Sequence, residues 1–244
     1  MNATTSQFAA RARNATPPVS SPLRFEPLLV PPLHVRLAKI AKATAILARD
    51  PNRLDQVLVF LLNVNYARIA RLLKNASVDA AGVRLLTERP HIDEKHVDFD
   101  ALERLPDGTL GREYTRFLKA NGISPEPFEN PPDIGHEDAA YVLLRMRQTH
   151  DLWHVLTGYT ADVRGELLLQ AFTYGQLGAP GSGFIAVFGS LRYARQLPGH
   201  LHDLRVAYER GKSTEFLPTV AWEDDWATPV EALRARLRCP SLAN

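Results

Sequence analysis

One stretch of this 244-residue chain decides its fold and its chemistry: Thr149-His150-Asp151-Leu152-Trp153-His154-Val155-Leu156-Thr157-Gly158. Two histidines four residues apart project from the same face of a helix, which allows one metal ion to take two nitrogens from that helix. The apolar residues between and after them would pack the other faces of the helix. The pattern predicts a helix that begins at His136-Glu137-Asp138 and ends near Thr157.

The residues after this helix predict a second helix that turns back beside it. Thr157-Gly158-Tyr159 ends the first helix, Asp162 can cap the next one, and Glu166 falls in its first turns. A short helical hairpin of this kind brings the carboxylate of Glu166 beside the two imidazoles.

Four side chains are therefore candidate metal ligands: His150, Asp151, His154 and Glu166. Two imidazoles with one or two carboxylates suit Zn²⁺, or non-haem Fe²⁺ with open positions. Asp151 points about 100° away from His150 around the helix, so it is either a fourth ligand or a group that orients a ligand or accepts a proton. The alternative is a pair of helix histidines satisfied by hydrogen bonds, with the acids on a solvated face.

The rest of the chain predicts helices joined by irregular segments, in a single all-α domain. No alternation of apolar and polar residues is long enough for a sheet, and no internal repeat is present. A flexible leader is expected over residues 1–30 and the helical domain over residues 31–240. A glycine-rich apolar stretch, 175–189, is expected to lead into a helix at 190–196. The other predicted helices are 33–49, 54–74, 80–86, 110–120, 162–175 and 222–237.

The composition excludes several classes of protein. With 45% hydrophobic and 23% charged residues, the chain is not collagen-like, coiled-coil or fully disordered. Its single cysteine, Cys239, excludes an internal disulfide, a cysteine-rich zinc finger and an iron–sulfur cluster held within one chain. A net charge of +2 supplies no basic footprint, so no nucleic-acid partner is expected.

The N-terminal part of the chain leaves the membrane question open. Residues 1–25 contain arginines and no acids, which fits a mitochondrial or plastid transit peptide and equally a disordered bacterial leader.

The longest apolar run of the chain, 57–62, is far below the ~20 residues that span a bilayer, so no spanning helix is expected. The predicted helix at 33–49 combines an apolar stripe with positive charge. It either lies on an anionic membrane or packs its stripe on the core.

Several blocks of residues carry a more specific resemblance. They are 147–158 with Gly165-Glu166, then 105–114 with 117–118 and 124–125, and finally 87–92. The first block contains His-Asp, two residues, His, eleven residues and Glu. Together the blocks resemble the Coq4 family of coenzyme Q (ubiquinone) biosynthesis proteins, and the similarity covers roughly residues 30 to 238.

The resemblance implies an all-α fold with a metal held by His150, Asp151, His154 and Glu166. It implies removal of the C1 carboxylate from a polyprenylated 4-hydroxybenzoate-type precursor, with or without C1 hydroxylation, among other ubiquinone-biosynthesis proteins. It also implies a peripheral position on a membrane. That membrane would be the bacterial inner membrane at its cytoplasmic face, or the mitochondrial inner membrane at its matrix side.

Such an activity suggests roles for individual residues. Zinc is the first choice of divalent metal. Iron is the alternative for an oxidative reaction, because zinc cannot transfer electrons. Asp151 is a candidate proton donor or relay.

Arg145 and Arg147 flank the metal helix and are candidates to hold an anionic head group. The alternative for at least one of them is a place on the solvated surface. Candidates to line a groove for the isoprenoid tail, rather than to serve only as core and turn, are Phe172, Tyr174, Phe184 and Phe188.

Two other functions fit the same residues. One is a non-catalytic lipid-binding scaffold whose metal is structural and which organises a quinone-biosynthesis complex. The other is a hydrolase that uses metal-activated water, although Asp151 stands where the HExxH metallopeptidase motif has glutamate. A homodimer is expected for a peripheral protein of this kind.

Overall fold

Helices form the secondary structure of the described part of the chain. The computed structural model describes residues 26–50, 53–125, 135–193, 195–196 and 199–242. Within these ranges there is no strand, and one isolated antiparallel bridge joins Thr109 to Pro229. The α-helices are α1 (Leu33–Leu47), α2 (Leu54–Ala76), α3 (Ala80–Glu88), α4 (Phe99–Glu103), α5 (Leu110–Asn121), α6 (Glu137–Gln148), α7 (His150–Thr157), α8 (Val163–Leu177), α9 (Pro180–Arg192), α10 (His200–Ser213) and α11 (Val230–Arg236). The predicted all-α, single-domain fold is confirmed, while the expected leader lies outside the described residues up to residue 25.

The helix predicted over residues 136–157 is two helices, α6 and α7, which meet at Thr149. The Thr149 hydroxyl donates a hydrogen bond to the carbonyl oxygen of Arg145 at 2.9 Å, and such back-bonds bend helices. Its backbone, at φ −93° and ψ −5°, departs from the helical minimum. The prediction of one continuous helix is therefore wrong, although the two histidines stay on one helix.

A tight turn brings α8 back beside α7, as the sequence predicts. Gly158 ends α7 with φ +80°, a left-handed conformation that glycine adopts without steric cost. The Asp162 side chain then caps α8 by accepting a hydrogen bond from the amide of Gly165 at 2.8 Å. A Cβ on Gly165 would lie 1.9 Å from the carbonyl oxygen of Thr160, so this turn requires glycine. As a result, Glu166 begins α8 next to α7.

Two glycines allow α8 and α10 to pack in direct backbone contact. A Cβ on Gly175 would lie 2.3 Å from the carbonyl oxygen of Tyr208, and one on Gly211 would lie 2.2 Å from that of Phe172. Backbone atoms within packed helices cannot move aside for a methyl group, so these positions exclude larger residues. This close contact fixes α8, the helix that carries Glu166, against α10.

The glycine-rich stretch is itself a helix, and the helix predicted at 190–196 is wrong. The observed helix, α9, ends at Arg192 and starts at Pro180, where the missing proline N–H costs nothing. Glycine lowers intrinsic helix propensity by about 1 kcal/mol, which is why the sequence does not reveal α9. Packing of α9 against α8 outweighs that preference. A Cβ on Gly189 would lie 2.3 Å from Cδ2 of Leu167 on α8, so glycine is what allows the two helices to come this close.

The helix predicted over residues 222–237 is also divided. A 3₁₀ helix covers Trp222–Asp225, and α11 begins only at Val230, after Pro229. Proline lacks an N–H and disfavours a helical conformation at the preceding residue, so a helix cannot continue through this position. Both halves still reach the core, because Trp222 and Leu233 are fully buried.

The helices α1 and α2 form the N-terminal pair. Ala43 of α1 is fully buried, while Leu33 and Leu37 of α1 are more than half exposed. By length and composition alone, residues 55–76 of α2 would suffice to cross a membrane, with a mean hydropathy of 1.2, although core helices of soluble proteins meet the same criterion. Asn63 and Arg68 interrupt its apolar run, which is why the sequence shows only a short one.

Candidate metal centre

Three predicted ligands meet between α7 and α8. Nε2 of His154 lies 3.1 Å from Oε1 of Glu166, and Nε2 of His150 lies 3.4 Å from Oε2 of the same carboxylate. The two imidazole rings stand edge to face, with their centroids 4.9 Å apart. Each histidine thus faces one oxygen of Glu166, as the helical spacing and the short hairpin predict.

His154 is held in one orientation by its surroundings. Its Nδ1 lies 3.0 Å from the backbone carbonyl oxygen of Tyr159, which can only accept a hydrogen bond, so Nδ1 carries the hydrogen. Phe117 of α5 stacks on the ring with centroids 5.2 Å apart, and the His154 side chain is fully buried. This partner leaves Nε2 directed at Glu166, the arrangement by which proteins orient histidine ligands.

Asp151 lies beside the two histidines. One ligand atom from each of His150, Asp151 and His154 lies within 4.8 Å of the other two. Zinc bonds of about 2.0–2.2 Å in tetrahedral geometry separate neighbouring ligand atoms by about 3.3 Å, close to the two distances between the histidines and Glu166. Two imidazole nitrogens and the Glu166 carboxylate therefore fit a divalent ion such as Zn²⁺ or Fe²⁺, with Asp151 beside them as a further ligand or as a group that handles a proton.

The electrostatics of the group also favour a cation. Burial raises the pKa of Glu166, but hydrogen bonds and positive charge from His150 and His154 outweigh burial and lower it to about 2. Burial likewise opposes protonation of His150, but the carboxylate of Glu166 prevails and raises the pKa of His150. Burial raises the pKa of Asp151. A divalent ion bound here would compete with protonation of His150.

These residues adjoin an apolar cavity of about 550 Å³. This volume is typical of small-molecule sites, which span roughly 300–1,000 Å³. His150 and Asp151 lie on its wall, and so do Arg68, Arg71 and Arg147. The apolar part of the wall comprises Leu58, Leu61, Leu62, Ile69, Leu72, Val142, Leu143, Met146 and Leu177, mostly from α2 and α6.

The two arginines predicted for an anionic group lie in different places. Arg147 lines the cavity and is half-buried. Arg145 does not line it, because its buried guanidinium makes a bidentate ion pair with Glu223, with Nη2 donating to Oε2 at 2.8 Å. A guanidinium that is already paired in the interior is not available to a ligand in the cavity.

The aromatic residues predicted for the tail do not line this cavity. Phe172 is fully buried in the core, edge-on to Trp153 with centroids 6.3 Å apart. Tyr174, Phe184 and Phe188 are exposed, and the last two stack on each other on the outer side of α9. The positions of these residues around α8 and α9 turn their rings away from the cavity. The sequence does not predict α9 as a helix, so it does not predict this orientation for Phe184 and Phe188.

Helix α2 forms the main wall of the cavity, which the sequence does not predict. Arg68 and Arg71 are three residues apart and so share a face of α2 with Asn65, amid apolar residues. Polar residues spaced along one face of an otherwise apolar helix are the sequence signal that could have indicated this wall. Which helix lies opposite the metal motif depends on tertiary contacts and is not encoded in local spacing.

Comparisons with known proteins identify relatives of this chain and of its fold. Residues 32–242 match the family described as Coenzyme Q (ubiquinone) biosynthesis protein Coq4. The chain is 32% identical over 199 residues to the mitochondrial ubiquinone biosynthesis protein COQ4 homolog of Rattus norvegicus, across 81% of this chain and 75% of that protein. It is 31% identical over 220 residues to the Homo sapiens homolog, across 89% and 83% of the two chains.

A solved structure shares the architecture. It is the crystal structure of a candidate ubiquinone biosynthesis protein from Nostoc punctiforme PCC 73102, with a TM-score of 0.65 and 26% sequence identity. The match covers 83% of this chain and 95% of that one. On these sequence and structural grounds, the chain belongs to the Coq4 family of coenzyme Q (ubiquinone) biosynthesis proteins.

Proposed function

We propose that this chain is a metal-dependent decarboxylase that removes the C1 carboxylate of a polyprenylated 4-hydroxybenzoate-type precursor of ubiquinone. The observation that carries the proposal is the convergence of His150, His154 and Glu166 beside an apolar cavity. A substrate with a charged aromatic head and an isoprenoid tail needs these two environments next to each other.

The chain's own residues fit the metal that this reaction would use, with zinc the first choice and iron the alternative. When bound, a divalent ion supplies positive charge that neutralises the substrate carboxylate or polarises its phenol oxygen. His154 is oriented by the Tyr159 carbonyl and by Phe117, so its Nε2 needs no rearrangement. Glu166 stays ionised at neutral pH, because its pKa is about 2.

In this proposal, Asp151 holds the proton that decarboxylation requires. The bond between C1 and the carboxyl carbon breaks, carbon dioxide leaves, and the electron pair stays on the ring until C1 takes up a proton. Burial raises the pKa of Asp151 on the cavity wall, which favours its protonated form as the donor. If a hydroxyl replaces the carboxylate instead, an oxidant such as dioxygen must accept two electrons.

The cavity supports a lipid-like substrate. Leu58, Leu61 and Leu72 of α2 present an apolar wall for the tail, while Arg147 offers a cation to an oxygen anion of the head. A polar head near His150 and a tail along α2 would place the reacting carbon at the metal-binding end.

The substrate also bears on where the protein works. The rat and human relatives are named as mitochondrial ubiquinone biosynthesis proteins. Because a polyprenyl tail partitions into bilayers, the proposal includes a peripheral position on the inner membrane. The face would be the matrix side in a mitochondrion or the cytoplasmic side in a bacterium. A homodimer and contacts with other ubiquinone-biosynthesis proteins belong to the same proposal.

The test is the release of labelled carbon dioxide from a short-chain prenylated 4-hydroxybenzoate, labelled at its carboxyl carbon, in detergent and with metal-loaded protein under air. We expect His154→Ala to lower the rate at least about tenfold, since loss of one ligand weakens both metal binding and its geometry. His202→Ala, an exposed histidine on α10, is the matched control and should retain the rate. Undiminished release by a folded His154→Ala variant would overturn the proposal.

Two other results would assign the site differently. If the wild type releases no carbon dioxide but loses thermal stability and partner binding when its metal is removed, a scaffold with a structural metal explains the site. If it hydrolyses ester or peptide probes in a metal-dependent way, the hydrolase explains it.

A further inference from the structure

The helix α7, which carries both histidines, is short and depends on its neighbours to form. It has 8 residues, whereas isolated helices shorter than about 12–15 residues are marginal in water. The last carbonyl oxygens of an α-helix also lack partners within the helix and need them from elsewhere. In α7 these oxygens belong to Val155, Leu156 and Thr157, the three residues that follow His154.

One arginine binds two of these oxygens. Arg234 of α11 donates from Nε to the carbonyl oxygen of Leu156 at 2.7 Å and from Nη2 to that of Val155 at 3.2 Å. A guanidinium can do this because its donors form a rigid planar fork. Glu231, one turn earlier on α11, holds Nη1 of the same side chain in an ion pair. The fork therefore bridges two successive carbonyl groups at the end of α7.

A second arginine binds the next oxygen and reaches the residue that orients His154. Nη2 of Arg210, on α10, donates to the carbonyl oxygen of Thr157 at 3.0 Å. The Arg210 guanidinium also lies over the ring of Tyr159, with Cζ 5.0 Å from the ring centroid, as in cation–π contacts. The carbonyl oxygen of Tyr159 is the partner of Nδ1 of His154 at 3.0 Å. Arg210 thus contacts the residue that fixes the His154 ring.

The charge of Arg210 is offset without a carboxylate. Among the described residues its remaining hydrogen bonds run to the carbonyl oxygen of Pro240 at 2.6 Å and to the sulfur of Cys239 at 3.9 Å. Cations are stabilised at the C-terminal end of a helix, where the helix dipole is negative. Carbonyl oxygens at the end of α7 and at Pro240 therefore take the place of a counter-ion. The position of this guanidinium is set by the end of α7 and not by an ion pair.

We propose that Arg234 and Arg210 are positioning residues for the metal centre, because they hold the backbone on which the orientation of His154 depends. They do so through the carbonyl oxygens of α7 and the ring of Tyr159. The proposal rests on the proposed function for the presence of a metal at His154, and not for the reaction which that metal supports. A ring that is already directed at Glu166 has little freedom to lose when an ion binds.

The effect should be concentrated on one ligand. His154 lies within a turn of the three carbonyl oxygens that the arginines bind. His150 lies a turn earlier, where α7 meets α6 at Thr149, and Glu166 lies on a different helix, α8. Loss of either arginine should therefore loosen His154 and leave the other two ligands in place.

The test is the zinc affinity of the folded protein, measured by competition with a chromophoric chelator, in Arg234→Gln and Arg210→Gln. We expect each variant to bind zinc about tenfold more weakly, the lower end of the loss that follows removal of a group supporting a histidine ligand. Affinity is measured below the unfolding transition, so a loss of stability alone leaves it unchanged. The visible absorption of the cobalt-substituted protein should also change, because it reports the geometry of the ligands.

A conservative variant keeps the test open if a glutamine variant does not fold. Arg234→Lys retains the positive charge but replaces the planar fork by a single ammonium group. It cannot bridge two carbonyl oxygens in the same way, so zinc binding should weaken in the same direction.

Arg236→Gln on α11 and Arg205→Gln on α10 are the matched controls. Arg236 pairs with the buried carboxylate of Asp225, with Nη1 3.0 Å from Oδ1, so its loss should also lower stability. That ion pair does not involve α7. Arg205 is exposed and lies five residues before Arg210 on the same helix. Both controls should keep the zinc affinity and the cobalt spectrum of the wild type.

A measurement without metal tests the same contacts. In protein containing isotope-labelled histidine, the Nδ1 hydrogen of His154 should exchange slowly with water, because the ring is buried and donates to the Tyr159 carbonyl. Local opening sets the rate of such exchange, so we expect it to be at least about tenfold faster in Arg234→Gln and Arg210→Gln. It should stay slow in the two controls.

Failure of this proposal and failure of the proposed function give different results. If the two glutamine variants lose stability but keep the affinity, cobalt spectrum and exchange rate of the wild type, the arginines serve the fold alone and the positioning proposal is wrong. Carbon dioxide release by the wild type would then still support the decarboxylase. If the variants weaken zinc binding and speed exchange as expected, but the wild type releases no carbon dioxide, the positioning proposal stands alone.

Discussion

The Nε2 atom of His154 lies 3.1 Å from Oε1 of Glu166, although a complete turn between two helices separates them in the chain. Because Nδ1 of His154 donates to the Tyr159 carbonyl, a neutral ring presents a lone pair to this carboxylate. A lone pair and a carboxylate oxygen repel each other at this distance unless a proton or a metal ion lies between them. The local geometry therefore calls for a cation.

Metal affinity should fall as the pH is lowered through the pKa of His150. Burial lowers this pKa, but Glu166 outweighs burial and raises it above its ordinary value of 6.5. A proton on His150 competes with the metal, so affinity is lost below the raised pKa and reaches its plateau above it. Competition with a chromophoric chelator across this pH range measures the effect.

The variant Glu166→Gln provides the control for this pH dependence. Removing the carboxylate charge lets burial dominate, so the inflection should move to lower pH and the plateau affinity should fall. Glu209→Gln, on the exposed side of α10, should leave both unchanged. An inflection that stays in place without Glu166 would contradict this explanation.

The packing of α8 on α10 should tolerate no side chain at Gly211. Gly211→Ala places a methyl group 2.2 Å from the Phe172 carbonyl oxygen, and we expect it to lower the free energy of unfolding by about 1–3 kcal/mol. Gly135→Ala is the matched control, because nothing lies within 4 Å of the added Cβ. Denaturant unfolding measures both, and equal stability of the two variants would show that the helices are not in this contact.

The two arginines of α6 should have separable effects. Arg145→Gln leaves Glu223 without its buried partner and should lower the free energy of unfolding by about 3 kcal/mol or more. Arg147→Gln, on the cavity wall, should affect stability less and raise KM for the prenylated substrate. Unfolding curves and steady-state kinetics separate the two effects, and a reversed assignment would contradict the placement of these side chains.

The thiol of Cys239 should be unreactive in the folded protein. Burial raises its pKa, and the side chain has no exposed area, so little thiolate is available to a reagent. A thiol-specific chromogenic disulfide should label it only at the rate of unfolding, and rapidly in denaturant. Fast labelling in native buffer would show that the C-terminal residues do not pack as described.

The meeting of His150, His154 and Glu166 could be predicted because its information is local. The spacing of His150 and His154, the glycine that ends α7, and the Asp162 cap together determine where Glu166 lies. Each of these is a short-range rule of helix geometry, so the sequence was enough to bring these residues together.

The cavity and the role of Arg145 could not be predicted because their information is not local. The partner of Arg145, Glu223, lies 78 residues away, and α2 meets the metal motif only through tertiary packing. The helix α9 was missed for a related reason. Its glycines argue against a helix locally, and the contact between Gly189 and Leu167 that favours one is visible only in the fold.

The most direct test of the central claim is the metal content of the purified protein, measured by elemental analysis after equilibration with zinc or ferrous iron. We predict about one ion per chain in the wild type and in His202→Ala, and near none in His154→Ala. A folded His154→Ala variant that retains a full equivalent of metal would contradict the assignment of this site.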